Sequence, residues 1–392
     1  MLDLSHLRLF FTRKQTLAVG FAFFSIGFLF GSWATFIPFV KNKFGLDDAQ
    51  LGLLLLSMPM GSLVANPIAA GLLQRFGMQK MTVFGMFYLG TCFVLPIQMP
   101  FIWATSLALF TCGTSITTLN VAMNTTATSI ELNQRISIMS TCHGMFSIGL
   151  MVGSLLASAT IGFEIPQRIT MLVFGGIILA GALLVQGQIR AIPDDAIGNE
   201  EAETTQGAKF VLPRGPLLIM IVISLFINFS EGSMADWTAV YMKDIVVANA
   251  YFIGWGLAGY SFFMAAGRLL GDSLIPRWGR NNVLIYGGLL ASAGLFLSII
   301  FPYTWTSIAG FSMVGAGVSC GAPIMYGSAA RVPGMAKGAG LATMNTFSMG
   351  GFLFGPVLVG FLSEAISLPF AFGVVGVMAL IWAYLSKNVK LY

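Results

Sequence analysis

Two carboxylates stand where a lipid-facing helix keeps none. The stretch NFSEGSMADW, residues 228–237, carries Glu231 and Asp236, yet PLLIMIVISLFI precedes it and TAVYM follows it. Fourteen residues separate Glu231 from Leu217, which puts it roughly 21 Å along a helix axis. A charged side chain at such a depth in a bilayer costs on the order of 3 kcal/mol, so its retention calls for a use. The functional reading is a carboxyl that loads and releases a proton as a cavity around it fills and empties, or that binds a cationic or hydroxylated solute. The structural reading is a protonated glutamate bonded to a neighbouring helix. The first is favoured, because ionisable residues inside membranes mark ion and solute pathways.

Other polar residues fall into place around it. Asn228 lies three residues before Glu231 and shares its face. Asp236 lies five residues after, about 140° around the helix, next to Trp237 and near Lys243. It suits an outer gate as well as it suits binding. Arg268 and Asp272 are four apart in the next apolar run, the spacing of an intrahelical ion pair, and read best as a structural latch. Earlier in the chain the buried-polar set is neutral: Asn66, Asn120, Asn124 and His143. Asn120 and Asn124 share a helix face, and His143 falls at a similar depth on the following run, so a hydrogen bond between them is plausible. A histidine suits proton handling; equally, membrane histidines and asparagines serve as packing and glue. Trp33, matched by Trp237, and Asn345 complete the residues assigned to substrate or proton.

These residues need helices to hold them. Charged residues make up 9% of the chain and apolar ones 56%, against about 25% and 45–50% in soluble domains. The chain therefore reads as a polytopic membrane protein. Twelve runs reach the length of roughly 20 residues that a spanning helix needs: about 15–40, 49–73, 80–98, 101–129, 137–162, 168–189, 216–242, 251–275, 282–301, 304–330, 338–363 and 368–387. The start, MLDLSHLRLFFTRK, reads as a short interfacial helix rather than a secretory signal. Sixteen of the 20 Lys and Arg residues fall on the side shared by the two termini, and Lys41, Lys43, Arg168 and Lys243 on the other. The positive-inside rule then places both termini in the cytoplasm of an inner-membrane protein. The net charge of +5 is thus a topology signal, and no nucleic-acid partner is expected. The four cysteines lie in apolar runs without metal-ligand spacing. No metal and no cofactor are expected.

The chain also repeats itself. Arg75-Phe76-Gly77 recurs as Arg277-Trp278-Gly279, Gly52 and Gly85 as Gly254 and Gly287, and Pro100 to Trp103 as Pro302 to Trp305, all at an offset of 202. Phe146 to Gly149 recurs as Phe347 to Gly350 at 201, and Trp33 as Trp237 at 204. Two six-helix halves follow, 1–187 and 216–392, joined by a polar cytoplasmic linker, 188–215. The fold class expected is all-α: a polytopic membrane protein with twelve transmembrane helices in two pseudo-symmetric six-helix bundles.

On these grounds the chain resembles the major facilitator superfamily over nearly its whole length. GSWATFIPFVK, NVAMN, HGMFSIG and EGSMADWTAVYM are similar to its MosC-like bacterial subgroup. The resemblance implies a cavity lined by spans one, four, seven and ten, which turns Glu231 inward. It also implies gating loops after spans two and eight, assigning Arg75, Gly77, Arg277, Gly279 and Arg280 to that role beside Arg268 and Asp272. The loops depart from the family pattern: Gln74 and Pro276 stand where the family has an acid, Ala70 where it has a glycine and Met78 where it has the last arginine. Span five has Gly149 and Gly153 but no Gly-Pro pair, and Gly355-Pro356 occurs in span eleven instead.

Some motifs carry no weight. Gly317 to Gly321 fits G-x-S-x-G inside an apolar run rather than at a strand–helix turn, and no P-loop is present. The expected function is secondary active transport of a small polar solute by alternating access, with protons coupled through Glu231 and hydrogen bonds supplied by the first half. The partners expected are that small-molecule substrate, protons and the lipid bilayer, and the expected unit is a monomer. Efflux of lipophilic drugs or cations is the alternative. A membrane sensor or polytopic enzyme is a third reading, for which neither a soluble domain nor a nucleophile–base cluster is visible; an enzyme is not expected.

Overall fold

The structure, a computed structural model, describes residues 5–193, 213, 215–333, 335 and 339–392; the side chains of residues 5–8, Asp272 and Ser273 lie outside that description. Most of the linker expected at 188–215 therefore falls outside the described residues. A short leading helix, Ser5–Thr12, is present where an interfacial helix was expected. Its Phe10 is fully buried and its Phe11 half-exposed, the two-faced pattern that the LRLFF stretch encodes.

Twelve long helices follow among the described residues: α1 (Lys14–Phe44), α2 (Asp48–Phe76), α3 (Met78–Gln98), α4 (Ile102–Gln134), α5 (Met139–Gly162), α6 (Gln167–Arg190), α7 (Pro216–Ile245), α8 (Trp255–Trp278), α9 (Arg280–Ile300), α10 (Thr304–Ala329), α11 (Ala339–Ala365) and α12 (Leu368–Asn388). No strand occurs among the described residues. Eleven of the twelve are long and apolar enough to cross a membrane. The other, α8, has 24 residues, also enough to cross, and it is the helix that carries Arg268, Asp272 and Arg277.

The repeat seen in the sequence is a repeat of geometry. Gly77 closes α2 at φ 81°, ψ 156°, and Gly279 closes α8 at φ 80°, ψ 152°. That region is open essentially to glycine alone. Each glycine donates its N–H to the fourth carbonyl back, Leu73 and Ile275, both at 2.9 Å. Each then accepts from the fourth N–H on, Met81 and Val283, at 3.2 and 3.1 Å. A second pair lies deeper. A Cβ on Gly113 would fall 1.9 Å from the Met58 carbonyl oxygen, and one on Gly315 would fall 2.0 Å from that of Tyr260. Both the glycines and the carbonyls are 202 apart, so α2 meets α4 as α8 meets α10.

The chain divides into two compact units: Met1–Gly45, Leu54–Ile197 and Asn249–Gly254 form one, and Leu46–Leu53, Gly198–Ala248 and Trp255–Tyr392 the other. Each unit thus holds one short piece that a division into contiguous halves would give to its partner. Gly52 and Gly254, already paired by sequence, show why. In the second unit the Gly52 Cα lies so close to α11 that a Cβ would meet the Pro356 carbonyl at 2.7 Å, and the Asp48 N–H donates to Glu364 Oε2 at 3.1 Å. In the first unit a Cβ on Gly254 would meet the Ser154 carbonyl at 2.3 Å. There Ser158 Oγ accepts from the Gly254 N–H at 3.0 Å and donates to the Tyr251 carbonyl at 2.8 Å. The first unit also holds the chain beyond α6. Gln15 on α1, Gln79 on α3 and Ser129 on α4 donate to the carbonyls of Ala191, Ile192 and Pro193 at 3.0, 3.0 and 2.8 Å.

Candidate functional site

Glu231 sits at the centre of α7, with Pro216 at the N-terminal boundary and Ile245 at the other. Proline suits the first helical turn, where its missing N–H costs nothing, and the apolar run that follows carries the helix to the acid. The neighbouring hydroxyls are absorbed by their own helix: Ser230 and Ser233 donate to the carbonyls of Phe226 and Phe229 at 2.9 and 2.8 Å. Glu231 has no such outlet. Its Oε1 is buried without a hydrogen-bond partner, and the nearest opposite charge is Arg268 Nη2 of α8 at 3.8 Å. That separation allows an ion pair but exceeds hydrogen-bond length. The side chains of Arg268 and Glu231 are 18% and 13% exposed.

Arg268 thus reaches across to α7. The i,i+4 partner expected from sequence, Asp272, has a side chain outside the described residues, so that pair is neither seen nor replaced. Reading along one helix could not find Glu231, because the rotation of α8 against α7 decides which side chains meet. The Tyr260 hydroxyl, two turns before Arg268, was also not singled out. The residue is 1% exposed, its hydroxyl lacks a partner, and it lies within electrostatic reach of both Glu231 and Arg268. A tyrosine in an apolar run was the available signal, since a buried hydroxyl normally finds a partner.

Asn228 is buried one turn before Glu231 and spends its amide on packing: Nδ2 donates to the Ser348 carbonyl of α11 at 2.9 Å. Ser348 Oγ in turn donates to Ser224 Oγ at 2.9 Å. Asp236 is half-buried farther along α7. Trp237 beside it is fully buried with an unpartnered Nε1. Beyond them α7 ends in a π-helical turn, Tyr241–Ile245, pinned where the Tyr241 hydroxyl donates to the Ser298 carbonyl at 2.9 Å and its ring stacks on Phe372. Asn345 is exposed on α11.

In the first unit Asn120 and Asn124 lie on α4 and His143 on α5. The Asn124 amide turns back along α4 to the Asn120 carbonyl at 2.8 Å and to the Asn120 side-chain oxygen. His143 on α5 is exposed and sits edge-on to Phe23 of α1, with ring centroids 5.2 Å apart. Trp33 is buried in α1. Of the residues assigned to gating, Arg75, Arg277 and Gly279 are exposed, Gly77 and Arg280 half-buried, and the Arg75 guanidinium lies 5.4 Å from the Phe76 ring.

Long apolar helices in two matching sets define a polytopic membrane protein, and a carboxylate and a guanidinium face each other between two of them. A family model described as Major Facilitator Superfamily matches residues 19–246 and 221–389. An uncharacterised MFS-type transporter of Yersinia pestis is 30% identical over 380 residues, covering 96% of each chain. The membrane protein MosC of Rhizobium meliloti is 29% identical over 361 residues, covering 91% of this chain and 86% of MosC. Among solved structures, that of a D-xylose-proton symporter superposes with a TM-score of 0.73 at 13% identity, over 96% of this chain and 97% of the other. The chain belongs to the Major Facilitator Superfamily, and membership supports secondary transport.

Proposed function

We propose that the protein moves a small polar solute across the inner membrane by alternating access, with a proton carried on Glu231 and Arg268 as its counter-charge. The observation that carries this reading is a carboxylate oxygen at the centre of α7, buried, without a hydrogen bond, and 3.8 Å from a guanidinium. A structural glutamate would be expected to have spent that oxygen on a neighbour. One left open is able to exchange a proton when water reaches it. The pairing of a solute with a proton in the structurally similar D-xylose-proton symporter agrees with this chemistry. The two units are the moving bodies of the cycle, a monomer is its unit, and both termini face the cytoplasm.

Reconstituted in proteoliposomes, the wild type should acidify or alkalinise the lumen when a transported solute is added. Glu231→Gln should lose accumulation driven by a pH gradient and keep solute exchange at equilibrium. Undiminished gradient-driven accumulation in Glu231→Gln would sink the coupling role of this residue.

A further inference from the structure

Arg268 holds donors that no described residue uses. It lies ten residues inside the end of α8. Its one charged neighbour among the described residues is Glu231, and its guanidinium donates no hydrogen bond to a described residue. A guanidinium presents a rigid planar fork of N–H groups that fits a carboxylate through two parallel bonds. The unpartnered Tyr260 hydroxyl adds another donor nearby. Against these stands one open acceptor, Glu231 Oε1. A ligand that completes the cluster has to bring acceptor oxygens.

The geometry points to Arg268 as a direct cargo ligand, and to a cargo that carries a carboxylate. The reading rests on Glu231 being the coupling acid. While Glu231 is ionised, its charge offsets that of Arg268 and the pair has no call for an anion. When a proton binds the Glu231 carboxylate, the guanidinium charge is left without its counter-charge in a low-dielectric site, where an isolated charge is costly. A solute carboxylate then takes the place Glu231 held. One proton on Glu231 and one anion on Arg268 cross together, no bond in the cargo is made or broken, and the net charge moved is zero. Among the described side chains the other titratable groups around the pair are Tyr260 on α8, Tyr326 and Cys320 on α10, and Asp236 farther along α7; that of Asp272, four residues after Arg268, lies outside them. Tyr326 borders Asn228 and Ser348, and Cys320 donates to the Gly267 carbonyl at 3.5 Å.

The test uses the purified full-length protein in detergent and the simplest carboxylates, sodium formate and sodium acetate, against sodium chloride at matched ionic strength. In Glu231→Gln, where Arg268 has lost its counter-charge, both carboxylates should raise the apparent Tm by about 3 °C over chloride. The effect should vanish in Glu231→Gln/Arg268→Gln, and the wild type should show it on acidification only. If Glu231→Gln does not fold, the acidified wild type against Arg268→Gln answers the same question. Equal melting in formate, acetate and chloride overturns the proposal. So does Asp272→Asn, and not Glu231→Gln, exposing Arg268 to formate. Matched pairs, gluconate against sorbitol and lactate against propane-1,2-diol, separate it from the broader reading. If the neutral member stabilises as well as the acid and survives Arg268→Gln, the carboxylate cargo falls and proton-coupled transport of a polar solute stands. If Glu231→Gln keeps gradient-driven accumulation, the broader reading falls whatever formate does.

Discussion

In the first unit, α1 and α5 meet through four glycines. A Cβ on Gly27, Gly31, Gly149 or Gly153 would fall 2.0, 2.3, 2.3 and 2.1 Å from a facing backbone carbonyl oxygen. In the second unit the corresponding helices, α7 and α11, keep only Gly351 in such a contact, at 2.6 Å from the Leu225 carbonyl, while Gly355 has 3.6 Å of clearance to that of Phe229. Hydrogen bonds from Asn228 and Ser348 fill the role instead. The polar atoms divide the same way. Glu231 Oε1, Trp237 Nε1, Tyr260 OH, Ser307 Oγ and Ser328 Oγ are buried without partners, all in the second unit. Among the described residues no side-chain atom of the first unit is in that condition. Among the described residues the first unit thus closes its backbone and leaves no buried side-chain polar atom open. The other leaves both looser, and an unsatisfied buried group is where a solute, proton or water has something to gain by binding.

The contrast can be broken by substitution. Gly27→Ala forces a methyl into the Phe146 carbonyl, backbone against backbone, and should cost on the order of 3 kcal/mol. A thermal scan in detergent would show an apparent Tm lowered by about 6–12 °C; a loss of under about 2 °C would mean that the α1–α5 contact is not the rigid element described. Asn228→Ala removes a buried donor between α7 and α11 and should cost about 1 kcal/mol, read in the same scan. A cost as large as that of Gly27→Ala would show that the hydrogen bonds, and not the missing glycines, set the strength of that interface. Gly355→Ala should fall within about 1 kcal/mol of no effect, since the added methyl has room and alanine is the better helix former. A large loss there would erase the difference between the two helix pairs.

Sequence alone shows the helices and their doubling, because apolar length and fixed offsets are local signals. Gly77 and Gly279, Gly52 and Gly254 are all legible as repeats. The exchange of short pieces between units is not, because it depends on which carbonyl each glycine approaches. The acid at the centre of α7 is legible from its cost in lipid. Its counter-charge is not: spacing along one helix cannot show that packing brings Arg268 of α8 to within 3.8 Å of Glu231. Equal depth likewise says nothing of rotation, so where the His143 ring and the α4 asparagines turn is not legible in the sequence. The Asn124 amide is turned to its own helix, and His143 meets Phe23.

Residues Asn249–Gly254 belong to the first unit although they come after α7. This has a consequence in time. A ribosome adds about 5–20 residues each second, so the six helices α1 to α6 leave it well before the segment that Ser158 and Ser154 will hold. The first unit therefore waits through the synthesis of the linker and α7 with the outer edge of α5 unfinished. Residues Leu46–Leu53 wait longer still, for the Pro356–Glu364 end of α11. Cutting the gene at the linker would yield two polypeptides of which neither is a finished half, each lacking a short piece that its unit takes from the other.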